Sequence, residues 1–215
     1  MSALIDNGQL TIPLHHGTSS LFIEGINSSG LGGKNPIEDL KVLPTLGELI
    51  ELADTHLSTD SEWLSSRWVF KNYAAQKMTP SANWQHGHVY FSPERTTAIR
   101  YATNNKYGSE LISDTIKLNN RLGAHALTDK DLHPVLSVTA VTAYPVLVTV
   151  EKMPVAFLAS EKDQDIDSLL SFIEKGLSDV VHRLLWQQMN FRIIQPLSPQ
   201  LLQIEAIETR CDPRS

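Results

Sequence analysis

The sequence predicts an α+β fold, and three observations carry that prediction. Segments that read as strands and segments that read as helices are interspersed, without the regular βαβ alternation of a doubly wound sheet. The chain of 215 residues is long enough to bury a core within one domain and still hold an insertion. Hydrophobic residues make up 41% and charged residues 20%, the balance of a globular chain.

The elements follow in order. "LTIPLHHG", from Leu10 to Gly17, is a short apolar run that reads as a strand. "SSLFIEGINSSGL" reads as a helix capped by Ser19 or Ser20 and stopped by Gly30. In "TLGELIELADTHL" the apolar residues Leu46, Leu49, Ile50, Leu52 and Ala53 recur at helical spacing. "SEWLSSRWVFKNYAAQKM" is a further helix with Ser61 as its cap. "GHVYFS" is rich in aromatic and branched residues and reads as a strand. Ser92 and Pro93 then form an N-cap and N1 pair opening the helix "PERTTAIRYATNN". Ser109 to Val141 reads as a helix and a long connection. "AYPVLVTVEKM" is a strand, "DIDSLLSFIEKGLSDVVHRLLWQQM" a helix broken near Gly176, and "NFRIIQPL" and "LLQIEAIE" the last two strands.

Composition narrows the function classes. A formal net charge of −6 argues against a generic polyanion binder. Cys211 is the single cysteine, so no intrachain disulfide and no cysteine-based metal site is expected. "MSALIDNGQL" has neither a basic n-region nor a long apolar h-region, and no apolar run approaches a membrane span. The expectation is a cytoplasmic protein without membrane association.

Two segments belong together: "LHHGTS" and "HVYFSPERTTAIRYA". The first supplies His16-Gly17-Thr18 at the end of a strand. The second supplies Tyr90-Phe91-Ser92 and, on the helix after it, Tyr101, eleven positions beyond Tyr90. This constellation resembles the ADP-ribosyltransferase superfamily, in the branch typified by poly(ADP-ribose) polymerases and diphtheria-type toxins. "INSSGL" also matches a run that often follows the first motif there. The resemblance covers about half the chain and implies a split, twisted β-sheet core with NAD as substrate.

The chemistry explains the residue types. Transfer from NAD breaks the bond between nicotinamide and ribose through an oxocarbenium-like centre, as in glycoside cleavage. Two tyrosine faces can sandwich the flat ring, each stack worth roughly 0.5–1.5 kcal/mol beyond area burial. A glycine admits close backbone approach to the carboxamide, and a histidine can hold a ribose hydroxyl. By resemblance, His16 contacts the adenosine-side ribose, Gly17 binds the carboxamide, and Tyr90 and Tyr101 stack on the nicotinamide. Thr18 and Ser92 complete the implied cofactor-binding set.

Two departures from the family stand out. A serine commonly three residues before the second tyrosine is Ala98 here, so one carboxamide contact is either lost or supplied elsewhere, with Thr97 as the candidate. The family's late catalytic glutamate falls in "WQQMNFRIIQPLSP" on Asn190, with Gln188 as the other alignment. An amide can hydrogen-bond a ribose hydroxyl but cannot act as a general base. By resemblance, loss of the glutamate goes with absence of chain elongation, so poly-ADP-ribosylation is not expected. Single transfer survives if the acceptor is a good nucleophile or if another carboxylate, such as Glu94, reaches the site.

Plainer readings compete for the remaining motifs. His-Gly-Thr alone is most often a strand end with a polar turn, and Tyr101 alone a core aromatic. "GLGGK" lacks the spacing of a phosphate loop and reads as a flexible loop. His86 and His88, with His15 and His16, lack a completing carboxylate or cysteine for a metal, so they read as a solvated strand edge. Trp63, Trp68, Trp84 and Trp186 read as core or interface, and Arg67, Lys71 and Lys77 as a solvated face.

The combined reading is a single domain over 1–215 with a helical insert at about 37–80. Its expected activity is mono-ADP-ribosylation of a macromolecular acceptor (protein, RNA or DNA). An intracellular toxin or modifier is implied, with an antitoxin protein as a partner. The alternatives are an RNA 2′-phosphotransferase-like enzyme, against which Tyr90 and Tyr101 count, and a catalytically inert nucleotide-binding module, which the amide at the third position favours.

Overall fold

The computed structural model describes residues 4–78, 83–161, 164–176 and 189–208. It is a mixed α and β structure whose sheets, among the described residues, are all antiparallel. Contacts divide the chain into two compact units. One comprises Met1–Lys34, His88–Lys106 and Ala143–Ser215; the other comprises Asn35–Gly87 and Tyr107–Thr142.

The chain opens with a hairpin of β1 (Ile5–Asp6) and β2 (Gln9–Leu10). Asn7 and Gly8 turn it with φ of 48° and 73°, the left-handed pair a two-residue turn requires. Strand β3 (Leu14–Ser19) begins only after Pro13, so Leu10 belongs to the hairpin instead. A 3-10 turn over Ser20–Phe22 leads into α1 (Ile23–Ser29), and the Ser19 hydroxyl accepts from Leu21 N–H at 3.5 Å. Gly30 stops α1 at φ 78°, and a Cβ there would overlap the Leu197 carbonyl oxygen.

Next come α2 (Pro36–Asp39), α3 (Val42–His56) and α4 (Ser61–Ala74). The cap of α4 is Asp60 rather than Ser61: its carboxylate accepts from Trp63 N–H at 2.8 Å. Strand β4 is only Tyr90–Phe91. Helix α5 (Arg95–Asn104) starts two residues later than the Ser92-Pro93 pair suggests. Glu94 is still extended, and the Ser92 hydroxyl accepts from Glu94 N–H at 3.1 Å, closing a turn ahead of the helix. Helix α6 (Glu110–Arg121) follows, then β5 (Pro145–Val150), β6 (Leu158–Ser160), α7 (Ile166–Gly176), β7 (Phe191–Ile193) and β8 (Gln203–Ala206).

In the first unit β5 is the centre of one sheet, β3-β5-β8, and β7 the centre of another, β4-β7-β6. The core includes Leu14, Phe91, Val148, Val150, Met153, Leu158, Phe191 and Leu197. Strands β4, β6 and β7 each turn alternate residues into it, whereas β5, in the middle of its sheet, is buried at the consecutive positions Val146, Leu147 and Val148. In the second unit α3 lies against α4 and α6 and buries Leu46, Leu49 and Ala53 with Trp63, Leu111 and Ile112. Its surface charges pair: Arg67 and Lys71 both reach Asp54, at 2.7 and 3.2 Å.

Two smaller expectations change, and Trp63 meets a third. His86 lies in a non-strand segment, half-buried against Tyr73 with ring centroids 5.0 Å apart, and is not on a solvated strand edge. "GLGGK" is anchored where Leu31 bridges Leu197 by two backbone hydrogen bonds (3.0 and 2.9 Å). Trp63 is core at 1% exposure, Trp68 is exposed, and Trp186 lies outside the described residues.

Candidate functional site

The site residues that the structure describes all belong to the first unit. They gather where β3 and β4 meet and part. His15 and Ser92 exchange both backbone hydrogen bonds, each at 2.8 Å, and so join the two three-stranded sheets at one point. Beyond that point the strands are no longer paired. The gap is spanned by a side chain: the His16 ring reaches the Tyr90 carbonyl oxygen at 2.8 Å through Nδ1.

That contact fixes the tautomer. A carbonyl oxygen only accepts, so Nδ1–H donates and Nε2 of the neutral ring presents a lone pair. Burial pushes the His16 pKa down, more than the Tyr90 bond raises it, which favours the neutral ring. His15, on the opposite face of β3, has its pKa lowered mainly by burial and shares a 2.9 Å hydrogen bond with the Thr149 hydroxyl.

Gly17 meets α5. A Cβ at this position would overlap the Ala98 carbonyl oxygen and come within 3.0 Å of Ala102 N. Only a glycine lets the helix lie this close to the strand. Its backbone is placed by ladder alternation. Thr18 faces Val146 and His16 faces Val148, and in the same register Ser20 N–H donates to the Tyr144 carbonyl at 2.9 Å. The N–H and C=O of His16 and Thr18 therefore point to β5, and those of His15, Gly17 and Ser19 point the other way. His15 uses its pair on Ser92. Gly17 is buried, and among the described residues no backbone group meets its N–H and C=O.

Helix α5 turns Ala98 and Ala102 inward, at 4% and 0% exposure, and leaves Tyr101 between them at 40%. The second tyrosine thus stands on the turn of helix that covers Gly17. Tyr90 is half-buried, with its ring against His88 at 6.3 Å between centroids, while Phe91 points into the core and lies 5.7 Å from the His16 ring. Thr18 and Ser92 are buried.

Asn190 directly precedes β7 and is half-buried. The pairs Tyr90–Arg192 and Phe91–Phe191, continued by one residue, set Asn190 opposite Ser92. The pairs Ala159–Arg192 and Ser160–Phe191, continued likewise, set it opposite Glu161. The Asn190 amide donates to Glu161 Oε2 at 3.1 Å. Gln188 lies outside the described residues. Glu94 is held by the Thr96 hydroxyl at 2.9 Å.

Glu161 is the residue that sequence reasoning missed. Nothing local marks it, because it reaches Asn190 only through the pairing of β6, a strand of three residues. Among the described residues no cluster of three or more His, Cys, Asp or Glu side chains can hold a metal. No helix of the described residues is long and apolar enough to cross a membrane. Compared with known proteins, the chain matches no family model, no curated protein and no solved structure.

Proposed function

We propose that the chain is an NAD-dependent mono-ADP-ribosyltransferase acting on a macromolecular acceptor. One observation carries the reading: a buried N–H and C=O pair at Gly17 faces the gap where β3 and β4 part, next to a histidine held in one tautomer. A donor and an acceptor side by side on one strand edge complement a primary carboxamide, which offers one acceptor and two donors. Buried backbone groups without partners are costly, so a ligand that meets them gains the full bond. The nicotinamide end of NAD carries such a carboxamide on a flat ring.

The chain's own groups divide the work. Gly17 orients the carboxamide. Tyr101, exposed on α5 beside Ala102, and Tyr90 offer aromatic faces for the ring. His16 Nε2 accepts from a ribose hydroxyl, and the Tyr90 carbonyl keeps the imidazole from rotating. NAD, when bound, supplies an anomeric carbon whose leaving group is nicotinamide. The parted sheets support the split-core architecture that this reading needs.

The test uses the whole chain. Calorimetry with NAD should give binding that His16→Ala and Tyr101→Ala weaken. Labelled NAD offered separately to protein, RNA and DNA should mark one pool, and the mark should vanish in both variants. Binding without transfer or nicotinamide release would favour an inert nucleotide-binding module. NAD-dependent removal of a 2′-phosphate from RNA would favour the phosphotransferase. No binding at all would end the proposal.

A further inference from the structure

Resting on that reading, we propose that Glu161 is the catalytic carboxylate of the site, presented from the neighbouring strand and held by Asn190. Asparagine cannot take a proton from an acceptor, whereas a glutamate supplies a basic oxygen. Here the two occur as one unit: the Asn190 amide donates to Glu161 Oε2 at 3.1 Å.

The sheet explains why the pair points usefully. Side chains directly opposite one another in an antiparallel ladder share a face. Tyr90, Ser92, Asn190, Arg192 and Glu161 therefore lie on one face of the β4-β7-β6 sheet, and Phe91, Phe191, Ile193 and Leu158 turn to the core on the other. Ser92, Asn190 and Glu161 form a row across three strands, about 10 Å from end to end at normal strand spacing. Ser92 is also the residue whose backbone binds His15, next to His16. Asn190 engages Oε2, and among the described residues no hydrogen bond occupies Oε1. Glu94, two residues beyond Ser92, accepts from the Thr96 hydroxyl beside it.

The step balances on these groups. Glu161 takes the proton from the acceptor's O–H or N–H as the acceptor's electron pair bonds to the ribose anomeric carbon. The bond from that carbon to the nicotinamide nitrogen breaks, and its electrons neutralise the pyridinium. Asn190 is a positioning residue. Its amide holds Oε2 so that Oε1 faces the reacting atoms.

Nicotinamide release from NAD, with water as acceptor, tests this without knowing the natural acceptor. Glu161→Gln should bind NAD within about threefold of wild type but release nicotinamide at least ~100-fold more slowly, in the range of a lost general base. The double variant Glu161→Gln with Asn190→Glu moves the acid one strand over and should recover much of the loss, which a merely structural glutamate would not do. Independently of turnover, the Asn190 side-chain amide resonance should move between wild type and Glu161→Gln, because the carboxylate that accepts from it is lost. Wild-type release rates in Glu161→Gln at wild-type NAD affinity would overturn the proposal and leave the functional reading intact. So would an Asn190 amide resonance that is the same in wild type and in Glu161→Gln. Wild-type protein that binds NAD yet releases no nicotinamide would also overturn it, and wild-type protein that does not bind NAD would overturn both.

Discussion

Replacing Gly17 by alanine adds one methyl group at the tightest packing point of the site. A Cβ there overlaps the Ala98 carbonyl oxygen and comes within 3.0 Å of Ala102 N. Both neighbours are backbone atoms of α5, a helix seated on β3 and β5, so neither can rotate away as a side-chain tip would. Overpacking of this kind costs about 1–3 kcal/mol, and the rigid neighbours place Gly17→Ala near the upper end. For a chain of this length that is a fall in Tm of about 6–12 °C. Gly47 on α3 is the matched control: a Cβ there meets nothing within 4 Å. Gly47→Ala should stabilise by about 0.5–1 kcal/mol, because alanine gives up less backbone freedom in a helix. Urea and thermal unfolding of both variants should therefore move in opposite directions. Adding Ala98→Gly to Gly17→Ala should not restore stability, because the obstructing atom is a backbone oxygen. Gly17→Ala within about 0.5 kcal/mol of wild type, or rescue by Ala98→Gly, would refute the packing argument.

Two further outcomes follow from single side chains. Burial pushes His86 down to about 4 from an unfolded value of 6.5. The unfolded chain then binds the proton first, so His86 contributes stability that is full above pH 6.5 and is lost as pH falls toward 4, on the order of 3 kcal/mol. His15 and His16 are shifted the same way, so the measurement is the difference between wild type and His86→Gln in urea unfolding from pH 7 to 4.5. Equal slopes would reject it. Tyr101 is 40% exposed, so Tyr101→Ala should leave the chain folded, with a cooperative urea transition. The same change should weaken NAD binding about 2–10-fold by calorimetry, the range of one aromatic stack, while Tyr101→Phe keeps it.

What the sequence disclosed depended on how local each signal was. Helix α3 announces itself through apolar spacing, and the strands that carry His-Gly-Thr and Tyr-Phe-Ser through short apolar and aromatic runs. Asn7-Gly8 carries the strongest short-range hairpin signal of the chain, yet β1 and β2 are two residues each, too short to display alternation. The Ser92-Pro93 pair fits a helix start, but the serine's hydroxyl went to Glu94 N–H, which delayed α5. Asn190 was placed from the run around it. Its partner was not, because β6 has three residues and the Glu161–Asn190 contact spans 29 positions. Strand pairing over such distances is decided by tertiary contacts that no local window contains.

Gly17 answers to two constraints at once, and that decides how its role must be tested. Its missing side chain admits α5, while its backbone faces the gap between β3 and β4. Any substitution disturbs the first, so loss of NAD binding in Gly17→Ala would say nothing about the second. The backbone contact has to be tested from the ligand's side. An NAD analogue with an acetyl group in place of the carboxamide keeps the oxygen that the Gly17 N–H would meet and lacks the amide donors that its C=O would meet. One neutral hydrogen bond is worth about 0.5–1.5 kcal/mol, and a buried carbonyl left unmet costs about as much again. Wild-type protein should therefore bind the analogue roughly 5- to 100-fold more weakly than NAD, with His16 and both tyrosines untouched. Equal affinity for the two would mean that the strand edge at Gly17 does not read the carboxamide, however the variants behave.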